Sequence, residues 1–207
     1  MQLSLMKLGV ICGTALLMTS AASAGSLFFS GNFTQDDNVV LIPFTIFGTE
    51  ALTIHSTSFA DGSVGFEPVL TLYDGTGALL FQDATGGTVP GSCGVRAIDP
   101  VSGYCLDGEI QQTLAAGSYT LALTEYDNIP SGPNLSDGFP QTGNGNFTGP
   151  EFLGQPGSFI LFDGSQRNND WAVQIDGVPV PEPGTATLGT SALLALIAVG
   201  RKLRRGI

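Results

Sequence analysis

The chain has 207 residues, a formal net charge of −11 and only seven Lys+Arg, against 18 Asp+Glu. Four of those seven bases sit in the last seven residues and one is Lys7, so residues 25–180 hold 17 acids and two bases, Arg96 and Arg167, a formal charge of −15. That balance argues against nucleic acid and anionic lipid as partners of this body, because both need basic patches. All 13 Phe fall in the same stretch, which excludes a disordered acidic tail.

In chain order, residues 1–24 have the form of a secretory signal peptide. Lys7 gives the positive start, Leu8–Met18 a short apolar core, and Ala22-Ser23-Ala24 a small-residue cleavage site, with a mature start at Gly25. Residues 25–177 then form one domain with strand periodicity throughout. Asn38–Phe47 (NVVLIPFTIF) is an apolar, β-branched and aromatic run. Pro43 inside it implies an edge position or a bulge, since proline donates nothing to a ladder. Ala51–Ser58 alternates, with Leu52 and Ile54 on one face. Pro68–Tyr73 alternates through Leu70 and Leu72, Asp74-Gly75-Thr76-Gly77 turns, and Ala78–Gln82 returns as a hairpin. Glu109–Leu114, Ser118–Tyr126, Phe159–Phe162 and Trp171–Ile175 complete the set. The expected fold class is all-β: a single antiparallel β-sandwich.

Two stretches interrupt the strands. Residues 83–104 hold Cys93 and run up to Cys105, and residues 127–158 are rich in Gly, Pro and Asn. Loops of this length in a compact domain are functional or mobile, or else tolerated surface insertions. Cys12 leaves with the signal peptide. Cys93 and Cys105 remain, an even pair that suggests a disulfide in an exported chain, with two free thiols as the alternative.

Residues 178–207 carry the most specific pattern. Pro181-Glu182-Pro183 precedes an apolar run from Gly184 to Gly200, and Arg201, Lys202, Arg204 and Arg205 follow at once. The run of 17 residues is at the short end for a transmembrane helix, and the basic stop places the body on the non-cytoplasmic side. Motif, helix and basic end in this order resemble the PEP-CTERM sorting signal of Gram-negative bacteria. The resemblance implies recognition by an exosortase, a membrane-embedded cysteine transpeptidase that cuts near the Pro-Glu-Pro. An ordinary tail anchor is the alternative. It further implies an inner-membrane-anchored precursor, then a place at the cell surface or in an extracellular matrix associated with exopolysaccharide.

The body carries a second resemblance. Phe66-Glu67-Pro68-Val69-Leu70-Thr71-Leu72-Tyr73-Asp74 with Gly77-Ala78-Leu79-Leu80, and Leu114-Ala115-Ala116-Gly117-Ser118-Tyr119-Thr120-Leu121, are similar to motifs of the pre-peptidase C-terminal (PPC) domain family. Asp37–Thr45 resembles that family's opening strand, and the match covers roughly residues 30–126. It implies a jelly-roll-like sandwich that is non-catalytic and in some members binds calcium or polymers. Glu67 departs from the family's usual Asp but keeps a carboxylate.

Catalytic chemistry has little to work with. His55 is the single histidine and lies in an expected strand, and no Gly-x-Ser-x-Gly elbow is present. One His and two paired Cys do not make a zinc shell. The only cofactor the residues suggest is calcium, with turn-borne oxygens at Asp36, Asp37, Asp107, Glu109, Asp127 and Asn128. A merely solvated acidic face is the competing reading. Trp171 is expected in the core, on one strand face with Val173 and Ile175, with sugar stacking as the alternative. Tyr104 and Tyr126 are freer candidates for polymer contact. The expected function is therefore a non-enzymatic exported surface or matrix protein. The rivals are a calcium-dependent polysaccharide- or protein-binding module and, more remotely, a hydrolase of matrix polymer.

Overall fold

The computed structural model describes residues 23–59, 65–83, 93, 94, 96–98 and 103–180. The expected signal peptide up to residue 22, the Pro181-Glu182-Pro183 motif, the apolar run 184–200 and the basic stop lie outside the described residues. No helix among the described residues is long and apolar enough to cross a membrane.

Eight strands make up the body: β1 Ser23–Asn32, β2 Val40–Ile46, β3 Glu50–Ser56, β4 Pro68–Asp74, β5 Leu79–Asp83, β6 Glu109–Leu114, β7 Gly117–Glu125 and β8 Asp170–Val180. They form two four-stranded sheets, ordered β1-β8-β3-β6 and β2-β7-β4-β5. Every pairing is antiparallel.

The side-chain period of two explains how the sheets meet. In β2, Ile42, Phe44 and Ile46 are buried while Leu41, Pro43 and Thr45 face outward. β2 is an edge strand bonded only to β7, so the missing N–H of Pro43 breaks no ladder. The inner faces of both sheets supply one core, with Leu52 and Ile54 of β3, Leu70 and Leu72 of β4, Leu121 and Leu123 of β7, and Val173 and Ile175 of β8. An aromatic column extends it: Phe33 stacks on Phe66 at 4.8 Å and Phe66 on Phe159 at 5.6 Å between ring centroids. Offset stacks of this kind add about 1 kcal/mol each beyond the area they bury.

β4 is buried on both faces from Pro68 to Tyr73. Its inner face meets the core. On its outer face Tyr73 joins Ala122 and Phe139 in a separate cluster, with Val39, Leu79 and Leu135 packed against it. The stretch 127–158 therefore covers one sheet. The β4–β5 hairpin closes as expected: Asp74 Oδ1 accepts from the Thr76 and Ala78 amides at 2.8 and 3.0 Å, and Gly77 takes φ +87°.

Three elements differ from the sequence expectation. β1 was not anticipated, and it places a full strand before Asp37–Thr45, the expected opener. Its ladder with β8 starts at Ser23↔Val180, so the strand pair runs past the expected domain limits of 25 and 177. Phe159–Phe162 is not a strand. Phe159 has φ +53°, and the segment folds into a turn in which Ile160 and Gln166 make an isolated bridge. β8, expected over Trp171–Ile175, extends from Asp170 to Val180.

Candidate functional site

Five of the six candidate ligands, all but Asp127, fall in two places, and in both they organise loops. At the first, the turn after β1 grips the long insertion. Asp36 is fully buried; its carboxylate accepts from the amides of Thr148 (3.0 Å) and Phe159 (2.9 Å) and from the Thr148 hydroxyl. Asp37 Oδ2 accepts from the amides of Gly143 and Gly145 at 2.9 and 3.0 Å. Asn128, fully buried, donates to the Asp37 carbonyl and accepts from the Gln141 amide. A buried carboxylate is tolerated when several N–H donors replace its water.

At the second, the positive charge that Glu109 meets is Arg96. Its guanidinium lies 3.2 Å from both Asp83 Oδ2 and Glu109 Oε2 and donates to the carbonyls of Asp107 and Cys93 at 3.1 and 3.0 Å. Asp107 Oδ1 accepts from the Ser56 hydroxyl and the Phe59 amide. Glu109 lies within β6, not in a turn. Cys93 and Cys105 are bonded to each other, with Cα atoms 5.4 Å apart. Arg167, the other base of the body, sits over the Phe59 ring at 4.2 Å and donates to the carbonyls of Gly65 and Phe59. The six residues expected as oxygen ligands are thus not one cluster. Among the described residues no group of three or more His, Cys, Asp or Glu is arranged to hold a metal ion.

Glu67, whose carboxylate the sequence motif marked, stands beside Glu125, which sequence reasoning missed. Glu67 immediately precedes β4 and Glu125 ends β7, paired with Pro68, while the Tyr126 amide donates to the Glu67 carbonyl at 3.0 Å. Both side chains are buried, and one oxygen of each has no hydrogen-bond partner among the described residues. Burial pushes the Glu67 carboxyl up to about 8, helped by the nearby charges of Asp163 and Asp83. Burial, then Asp36 and Glu67, pushes Glu125 well above the carboxylate range. Burial and Asp127 also raise Glu151, and burial with Asp127, Glu67 and Glu151 raises the Tyr126 phenol. The Tyr126 ring stacks on Phe152 at 6.4 Å between centroids. This end of the β2-β7-β4-β5 sheet therefore carries two acids whose burial favours their protonated forms. The sequence hint was Phe66-Glu67-Pro68, a charge written into an apolar run.

The remaining candidates are placed as follows. His55 is buried in β3 with Nδ1 3.7 Å from Asp176 Oδ2. Asp176 is held below the usual carboxylate range by the Ser26 hydroxyl, the Gln174 amide and His55. Tyr104 is exposed. Trp171 shares its face of β8 with Val173 and Ile175 and packs on the core, as expected, but it is only half-buried and lines a groove with Asp170, Asn32 and Ser30. No family profile matches this sequence, and neither does any curated protein.

Proposed function

We propose that this chain is an exported, non-enzymatic component of the cell surface or extracellular matrix of a Gram-negative bacterium. A cleaved signal peptide delivers it, an exosortase sorts it through its tail, and it belongs with exopolysaccharide. The observation that carries this reading is the order Pro181-Glu182-Pro183, apolar run 184–200, then Arg201, Lys202, Arg204 and Arg205. The bonded pair Cys93–Cys105 supports it, since such bonds persist in oxidising compartments. The strand orders β1-β8-β3-β6 and β2-β7-β4-β5 support a jelly-roll-like sandwich of the PPC kind, because the chain alternates between two four-stranded sheets.

The non-enzymatic part rests on how the reactive groups are used. Both body thiols are bonded to each other, and the only histidine is buried against Asp176. Asp36, Asp37, Asp107 and Glu109 are engaged with amides, hydroxyls and Arg96. A nucleophile with an oriented base does not emerge from these pairings.

Mass spectrometry of the mature protein's C-terminus tests the sorting step. A species ending near Pro183 is the expected result, found only in cells with an active exosortase. A mature protein still ending at Ile207 would replace sorting with a permanent anchor.

A further inference from the structure

We propose that the outer edge of β1 is a self-association surface. A second copy of this chain lays its own β1 antiparallel on it and joins the two β1-β8-β3-β6 sheets into one. This goes beyond the matrix reading above and does not depend on it, since the partner is the chain itself.

β1 is the outermost strand of its sheet and is bonded along one side to β8. On its other side a row of backbone N–H and C=O groups meets no strand among the described residues. Proteins blunt such edges with prolines or charges, because an open row is a template for another chain. The three other edge strands follow that rule, with Pro43 in β2, Asp83 in β5 and Glu109 in β6. β1 does not: its ten residues, SAGSLFFSGN, include neither a charge nor a proline. The facing carboxylates of β8, Asp176 and Asp170, stand one strand back and hydrogen-bond to Ser26 and Asn32. On a body of formal charge −15, β1 is thus a neutral strip along which two copies can meet.

The side chains select one register. Residues directly opposed in an antiparallel pair lie on the same face of the sheet. In β1, Leu27 and Phe29 pack on the core, while Ser26, Phe28 and Ser30 are exposed on the outer face. A β1–β1 pair centred on Phe28 sets Ser26 against Ser30, Leu27 against Phe29 and Phe28 against its own copy. Every pairing is like with like. A pair centred on Leu27 or on Phe29 instead opposes Phe28 to a serine and one inner side chain to a glycine.

This register also covers what the single chain leaves open. The Phe28 side chain is the largest apolar group of the strand's outer face, and the residue is 61 % exposed. Opposed to its copy it makes an aromatic cross-strand pair, a favourable contact on a sheet. Leu27 and Phe29 are only half-buried at the rim of the core. The partner's Phe29 and Leu27 extend that core across the joint. An interface of one strand on each side is small, so the association is weak and reversible, with a dissociation constant between about 10 μM and 1 mM.

Cross-linking tests both the contact and its register. The full chain is used in detergent, in a Cys12→Ser background that leaves the bonded Cys93–Cys105 pair as its only cysteines. Ser26→Cys and Ser30→Cys proteins are mixed at about 100 μM, within the expected range of association, and mildly oxidised. Both serines are exposed, so the variants keep the core. The mixed disulfide is expected to dominate over either self-disulfide. Position 26 lies against position 30 of the partner, at a separation a disulfide spans, whereas the two copies of position 26 stand about 14 Å apart along the ladder. Adding Phe28→Glu to both proteins opposes two like charges and should slow the mixed cross-link about tenfold. Leu41→Glu, at an exposed apolar position of β2, should leave the rate unchanged. Absence of the mixed disulfide overturns the proposal. So do equal yields of all three disulfides, which contact through another part of the chain would give, or a cross-link indifferent to Phe28→Glu. None of these outcomes bears on where the mature chain ends.

Discussion

Glu67 shows most clearly what one side chain contributes to this fold. A carboxyl whose folded-state pKa is raised to about 8 binds its proton more tightly in the folded than in the unfolded chain. Its contribution to stability is complete below the unfolded value near 4.5, declines as pH rises, and is gone above about 8. Within that window each such group lowers stability by up to about 1.4 kcal/mol per pH unit. Glu125 is displaced in the same direction and interacts with Glu67, so the two titrate as a pair. Glu67→Gln keeps the shape of the protonated acid and removes its ionisation. Melting curves should show the variant matching the parent near pH 4.5 and exceeding it by several degrees at pH 8.5. Equal pH slopes in both proteins would show that Glu67 is not held protonated. Arg96 is the counterpart case, a base whose partners Asp83 and Glu109 would otherwise face each other unneutralised.

Among the elements, the insertion 127–158 behaves as a built cover. Asp36 is its latch, drawing Thr148 and Phe159 onto the turn after β1. Asp36→Ala would leave those buried amides without acceptors, at a cost of about 2–4 kcal/mol. Hydrogen exchange should show protection lost first across 127–158 while β4 and β7 keep theirs. Uniform loss over all strands would mean that the cover and the sheets open as one unit. Local chemistry explains which elements were legible in advance. β4, its Asp74–Gly77 turn and β6 could be placed to within a residue or two, because alternation and turn residues both point to them. β1 was hidden since its SAGSLFFSGN is half small residues, and the strand is held by the β8 ladder rather than by its own propensity. The latch role of Asp36 and Asp37 was equally hidden. Acids in turns look the same whether they meet a cation, water or a backbone amide more than 100 residues away.

For the molecule as a whole, the imbalance of charge sets how the fold responds to its solvent. The body carries 17 acids, and its two bases are already committed, Arg96 to Asp83 and Glu109 and Arg167 to the Phe59 ring and nearby carbonyls. The remaining surface repels itself, and that repulsion weighs on the compact state more than on the expanded unfolded chain. Salt shortens its reach from about 30 Å at 0.01 M to about 4–5 Å at 0.5 M. Raising NaCl over that range at pH 8 should therefore raise the melting temperature by several degrees, and by less at pH 5, where the carboxylates begin to take up protons. Calcium chloride at matched ionic strength separates screening from specific binding. Because Asp36, Asp37, Asp107, Glu109 and Asn128 are engaged internally, calcium is expected to add nothing beyond sodium. A calcium-specific rise that saturates at low millimolar concentration and disappears with EDTA would require a site these pairings do not provide, and Glu67 and Glu125, each with an oxygen that has no hydrogen-bond partner among the described residues, would be the residues to mutate first.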